Sequence, residues 1–331
     1  MLLIGTDEAG YGPNLGPLVV AATAWQVPDS ASAPDLYSLL PGLLTPSPPG
    51  RSSPGRSSLD AAHADARLAV ADSKTLYSPA AGLELLELGA LALASSAGLT
   101  ASDWRSLWPL FAPASRPLTS TAPWFADHDA ATPIAAEADA IRTWSARLRA
   151  GYDQTGCRLA SMRAAVIGPE EFNERIETAG GKGVLLSETT LSLVRDLLAE
   201  SPAQPTFVFC DKHGGRNRYG ELLQRSWPDD LVQVLEESRA SSRYRWGAKG
   251  SRIEIEFRVG GEAQVPCAAA SMLAKYLRER AMESFNAFWQ SRVSQLAPTA
   301  GYPVDAARFR RDIAAALNEL AIPDRILWRN K

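Results

Sequence analysis

Two short apolar runs in this chain end in carboxylates, and that pattern limits its architecture more than any other feature. Residues 2–7 lead into Asp7-Glu8, and residues 206–210 (TFVFC), rich in aromatic and β-branched side chains, lead into Asp211. A third run, 253–259, alternates strictly. Ile253, Ile255, Phe257 and Val259 share one side and Glu254, Glu256 and Arg258 the other, as in a half-buried strand. Residues 18–25 form a further apolar run beyond a Gly/Pro turn. Helical patterns at 80–95, 188–199 and 268–289 alternate with these runs, so the chain reads as a layered α/β fold.

With 331 residues there is enough chain to bury a sizeable core. A composition 46% hydrophobic and 21% charged excludes a wholly disordered or fibrous chain. No apolar run approaches the roughly 18 residues that would cross a membrane, so no membrane partner is expected. The early acid pair interrupts what a secretion signal would require. Cys157, Cys210 and Cys267 are few, odd in number and widely spaced, which suits a reducing cytosol and makes no zinc pattern. A cytoplasmic location is the expectation. At a net charge of -3 the chain is no globally basic coat, so any polyanion contact must come from a local patch. Two stretches read as insertions. Residues 28–68 contain TPSPPGRSSPGRSS, a flexible surface loop by composition. Residues 100–157 are rich in Ala, Trp and Pro, with a helix expected near 135–150.

Five constellations could carry chemistry. Asp7-Glu8 offers hard oxygen ligands suited to Mg²⁺ or Mn²⁺. Gly10, Gly12 and Gly16 after it permit tight turns, and the same residues also read as an acidic hairpin turn. The spacing is not that of a glycine-rich phosphate cradle. Asp72-Ser73-Lys74 offers a hydroxyl and an ammonium for a phosphate, or an ordinary helix cap. Asp211, at a strand end before Gly-Gly and arginines, stands where sites form in α/β sheets; His213 beside it reads as a solvated loop histidine. Residues 239–252 carry Arg239, Arg243, Arg245, Lys249 and Arg252 with no acid, interleaved with Tyr244 and Trp246. That is a nucleic-acid surface or a solvated hairpin. The small-residue helix start at 266–275 allows close packing and leaves Ser271 and backbone N–H groups for a phosphate, with Lys275 one turn on.

Taken in order, DEAGYGPNLGPLV, ADSKTL, the strand ending in Asp211, AAASMLAKYLRERAM and the Gly301-Tyr302-Pro303 turn resemble the ribonuclease HII family. That family carries DEAGRGPLAGPV, DSKKL, a strand ending in aspartate before glycine, ASIIAKVTRDRLM and a late GY. The likeness follows the chain in order apart from the two insertions. It implies one RNase H-like nuclease domain over 1–331, a mixed five-stranded sheet flanked by helices, with insertions. It also implies hydrolysis of the RNA strand of RNA–DNA hybrids by a two-metal-ion mechanism using Mg²⁺ or Mn²⁺.

By the same resemblance, Asp7, Glu8 and Asp211 are catalytic metal ligands. Glu262 is the only acid in the segment where the family keeps a further aspartate, and so is the candidate fourth. Tyr302 matches a tyrosine that stacks on a sugar at the RNA–DNA junction. Gly10, Tyr11, Gly12, Lys74, Ser271 and Lys275 line the substrate, with Arg243 and Arg245 as outlying contacts. The expected partner is an RNA–DNA hybrid or a ribonucleotide-containing duplex. The family's Gly-Arg-Gly is Gly10-Tyr11-Gly12 here, so an arginine contact to phosphate is missing. Two other readings stay open: a non-catalytic nucleic-acid-binding relative, and a structure-selective DNA nuclease on the same fold.

Overall fold

Seven strands make one mixed sheet: β1 (Leu2–Ala9), β2 (Leu18–Gln26), β3 (Arg158–Ile167), β4 (Thr206–Asp211), β5 (Gln233–Glu237), β6 (Ser241–Trp246) and β7 (Ile253–Arg258). The computed structural model describes residues 1–30, 32–48 and 67–330. Across the sheet the order is β3-β2-β1-β4-β7-β6-β5. The β1, β4 and β7 strands run parallel, and the flanking pairs are antiparallel. Central parallel strands are covered on both faces, which explains why Leu2, Leu3 and Ile4 are all buried although they alternate sides.

Five helices position the rest: α1 (Glu84–Ser96), α2 (Trp104–Phe111), α3 (Ala138–Thr155), α4 (Lys182–Ala199) and α5 (Val265–Gln290). One core packs Leu3, Val19 and Ala21 with the small-residue start of α5; the other packs Ile4, Val20 and Val208 with Leu185 and Val194 of α4. The small residues of α5 are needed because the helix lies directly on β1. A Cβ on Gly5 would sit 2.1 Å from the carbonyl carbon of Pro266. This is the mixed sheet with helices on both faces that the resemblance implies.

The structure departs from the sequence reading in several places. The sheet has seven strands, because the β5–β6 hairpin extends the five-stranded core beyond β7. The middle of the basic stretch 239–252, Ser241–Trp246, is therefore strand, and Tyr244 and Trp246 are buried in the α4-side core, unable to stack on bases. Val259 is 67% exposed because β7 ends at Arg258. The first insertion is not all loop: Leu36, Leu40 and Leu44 join the α5-side core, and Leu44–Thr45 pairs with Leu68–Ala69. Residues 49–58 of its Pro/Gly/Ser-rich run lie outside the described residues. The second insertion is built into the core through Trp104, Trp108, Phe111, Trp124 and Trp144, and its expected helix is α3. Among the described residues no helix is long and apolar enough to cross a membrane.

Candidate active site

The acids meet because of strand register. Thr6 pairs with Cys210 on the parallel neighbour, which sets Asp7 and Asp211 one residue further along adjacent strands. They stand at the carboxyl ends of parallel strands, where open α/β sheets form their sites. Loss of water chiefly pushes the Asp7 carboxyl up to about 7, opposed by the nearby Ser271 hydroxyl, with Asp211 and Asp72 adding repulsion. Glu8 is pushed up to about 8, first by burial and then by the fields of Asp7 and Asp211, with Lys74 opposing. The adjacent acids thus share one field despite strand alternation.

Glu262 lies on the same rim. It sits in a 3₁₀ turn, Gly261–Ala263, that follows β7. A Cβ on Gly261 would come within 3.1 Å of the Asp211 backbone nitrogen, so the turn is pressed onto the strand end. Lys74 gathers the cluster from above. Its ammonium is held above its usual range by Asp72 foremost, and by Asp7, Glu262 and Asp211.

Asp72 is the acid that sequence reasoning treated only as a cap. It does cap the Ser73–Leu76 helix, accepting from the Lys74 N–H at 3.3 Å. It also accepts from the Ser271 hydroxyl at 3.4 Å and faces Asp7 electrostatically. A cap and a site carboxylate are indistinguishable in sequence, because both are an acid before a helix.

Two of the expected substrate contacts have partners within the fold. Ser271 is buried, and its hydroxyl ties together Asp72, the Ser73 N–H at 3.3 Å and the Ser73 hydroxyl at 3.1 Å, so it is an internal strut with no face for a phosphate. Lys275 is bound by Glu279 and lies 4.6 Å from the Tyr77 ring centre. Arg243 lies 3.9 Å from Glu254, and Arg245 donates to Gln233 at 3.0 Å, both on the outer hairpin. His213 is buried, not solvated. Its ring shares a 2.9 Å hydrogen bond with Ser187, and burial pushes it down to about 3.

The Gly10–Gly12 loop and Tyr302 are brought together. Gly10 adopts φ +89°, and a Cβ there would meet the Pro17 carbonyl at 2.6 Å. Asn14 N–H donates to the Gly301 carbonyl at 2.8 Å, locking the loop to the Gly301-Tyr302 turn. Tyr302 is 55% exposed, with its ring edge 3.8 Å from where a Gly12 Cβ would be. Buried Arg278 and Arg329 brace the same loop. Arg278 donates to the Pro17 and Ala300 carbonyls, both at 2.9 Å, and Arg329 to that of Gly10 at 2.6 Å.

The topology is a mixed sheet with parallel central strands, antiparallel flanking pairs and helices on both faces. No protein-family model matches the chain, and no curated protein matches it. Three solved structures are similar at low identity. RNase HII of Archaeoglobus fulgidus, solved with PCNA, is 15% identical over 100% of this chain and 95% of that one, with a TM-score of 0.39. Ribonuclease H2 of Pyrococcus horikoshii is 13% identical over 99% and 92%, with a TM-score of 0.43. Bst-RNase HIII, solved with Mn²⁺, is 17% identical over 99% and 66%, with a TM-score of 0.37.

The donor set suits a hard divalent cation. It is all carboxylate oxygen, and burial together with mutual repulsion raises the acids Asp7 and Glu8, a cost that a cation would relieve. Among the described residues, however, no three His, Cys, Asp or Glu side chains stand close enough to chelate one ion as they are.

Proposed function

We propose that this chain is a metal-dependent endoribonuclease that hydrolyses the RNA strand of RNA–DNA hybrids. The observation that carries the reading is the placement of Asp7, Glu8 and Asp211 at the ends of adjacent parallel strands, where burial foremost, and repulsion among them after it, pushes the Asp7 and Glu8 carboxyls up to about 7 and about 8. Asp7, Glu8 and Asp211 would hold Mg²⁺ or Mn²⁺, with Glu262 and Asp72 at the rim. A bound divalent ion supplies positive charge against the phosphate and lowers the pKa of water.

The chain's own groups do the rest. Backbone of the Gly10–Gly12 loop is open to a ribose 2′-OH, the group that separates RNA from DNA. Tyr302 offers an exposed ring beside that loop for a sugar or base to stack on. Lys74, 3.9 Å from Asp72 with its side chain 87% exposed, is within reach of a phosphate in solvent.

The test is a substrate panel: an RNA strand on DNA, a single ribonucleotide in duplex DNA, and plain duplex DNA, each with Mg²⁺ and with Mn²⁺. Cleavage confined to ribose-containing strands is expected. Cleavage of plain DNA would transfer the site to a structure-selective DNA nuclease. The second reading that the sequence leaves open is a nucleic-acid binder without catalysis. It predicts hybrid binding with no cleavage under either metal.

A further inference from the structure

Tyr11 is flanked by two cations that the acid cluster does not use. Its hydroxyl lies 2.8 Å from where a Gly214 Cβ would be and 3.5 Å from where a Gly183 Cβ would be, so the phenol is wedged between the start of α4 and the loop after β4. Lys182, the first residue of α4, holds its ammonium 4.7 Å from the centre of the Tyr11 ring. That cation–π contact fixes the charge beside the Gly10–Gly12 loop.

Arg216, two residues beyond the Gly214 that Tyr11 abuts, acts electrostatically on both Tyr11 and His213. Its turn is anchored. The Arg216 N–H donates to the His213 carbonyl at 3.0 Å, and the His213 N–H donates to the Tyr219 hydroxyl at 3.0 Å.

Neither cation is neutralised. Lys275 and Arg243 each have a carboxylate partner; among the described residues Lys182 and Arg216 have none within ion-pair distance. The Arg216 Nε is also shut off from water without a hydrogen-bond acceptor. A guanidinium nitrogen buried in that way costs free energy until an acceptor reaches it. A phosphodiester oxygen is the acceptor that guanidinium and ammonium geometry suit, and the charge assistance strengthens the bond.

We propose that Lys182 and Arg216, both beside Tyr11, form a cradle for a backbone phosphate of the bound nucleic acid. The inference rests on the reading of the chain as a nucleic-acid enzyme. It adds a grip from the α4 side of the sheet to the Tyr302 and Lys74 contacts on the α5 side. The ligand class is a phosphodiester, and base sequence is irrelevant to it.

The experiment measures duplex affinity without divalent metal, from about 50 to 200 mM salt, where the slope of log affinity on log salt counts phosphates neutralised at about 0.9 each. An RNA–DNA hybrid and plain DNA are both tested. Lys182→Ala and Arg216→Ala should each flatten the slope by about 0.9, and the double variant by about twice that. Lys182→Arg and Arg216→Lys should keep it. Arg195→Ala, a cation about 20 Å further along α4, should change nothing. A double variant that melts like the parent and keeps the parental slope overturns the cradle. A parent that binds and does not cleave, with the slope falling as described, upholds the cradle and removes the nuclease reading. A parent that binds neither duplex overturns both.

Discussion

Glu87 of α1 and Arg280 of α5 lie 3.6 Å apart, and neither side chain touches solvent. Glu87 also accepts from the N–H groups of Ile134, Ala135 and Ala136 and from the Tyr276 hydroxyl at 2.9 Å. One carboxylate thus fastens the second insertion to the helix that carries Ser271. Replacing it by alanine leaves three backbone donors without an acceptor and the buried Arg280 with only Glu283, at 3.0 Å, and the Ala131 carbonyl. Removing one partner of a buried pair costs about 3–5 kcal/mol, so Glu87→Ala should lose that much in urea unfolding, while Glu87→Gln recovers only part. An unchanged midpoint for Glu87→Ala would show that the insertion is not anchored there.

The acid cluster makes the metal-free protein sensitive to alkali. Asp7 and Glu8 rise from ordinary values of 3.8 and 4.5 to about 7 and about 8. A carboxyl whose folded pKa exceeds its unfolded one binds its proton more tightly in the folded chain. Folding is therefore helped at low pH, and that help is lost as pH climbs from about 4 through about 8. With chelator present, Asp7→Asn should melt higher than the parent by a margin that grows with pH over this interval. Mg²⁺ or Mn²⁺ should raise the parental Tm more at pH 8 than at pH 5. The same substitution should cut hydrolysis by orders of magnitude, since metal-borne charge stabilisation is worth several kcal/mol. A pH-independent margin would mean that the Asp7 carboxyl is not raised in the folded chain.

The outer hairpin gives the contrast to the Tyr11 cradle. Arg243 faces Glu256 in register and lies near Glu254, and Arg245 pairs in register with Glu254. Charges already opposed across strands release few counterions on binding. Arg243→Ala combined with Arg245→Ala should leave the salt slope of hybrid binding within about 0.3 of the parent. A fall of nearly two would instead make the hairpin part of the bound footprint.

How far the sequence carries depends on which signal a residue leaves. The β1, β4 and β7 strands were legible because apolar runs and alternation are direct records of burial, and Asp7, Glu8 and Asp211 because they interrupt those runs. The β3 strand, RLASMRAAVI, was not, since an edge strand covered on one side by an insertion keeps polar residues at irregular positions. Tyr244 and Trp246 misled for a related reason: their neighbours are arginines, but alternation sends the aromatics inward and the arginines out. His213, Arg278 and Arg329 have partners that are distant in sequence or are backbone carbonyls. No local pattern encodes such a contact, so their burial is knowable only from the fold.

Two glycines of the same loop separate folding from function. An alanine at Gly10 would meet the Pro17 carbonyl at 2.6 Å and take up φ +89°. Strain of that kind costs about 1–3 kcal/mol, so Gly10→Ala should lower the melting temperature and activity together. At Gly12 the nearest atom to an added Cβ is Tyr302 Cε1 at 3.8 Å, an ordinary contact. Gly12→Ala should therefore fold within about 0.5 kcal/mol of the parent. The new methyl fills the gap between loop and ring in which a sugar would have to lie. Hybrid cleavage by Gly12→Ala should fall at least about tenfold in kcat/KM, equivalent to about 1.4 kcal/mol of lost transition-state binding. Parental activity in a normally folded Gly12→Ala protein would place the substrate elsewhere than between Gly12 and Tyr302.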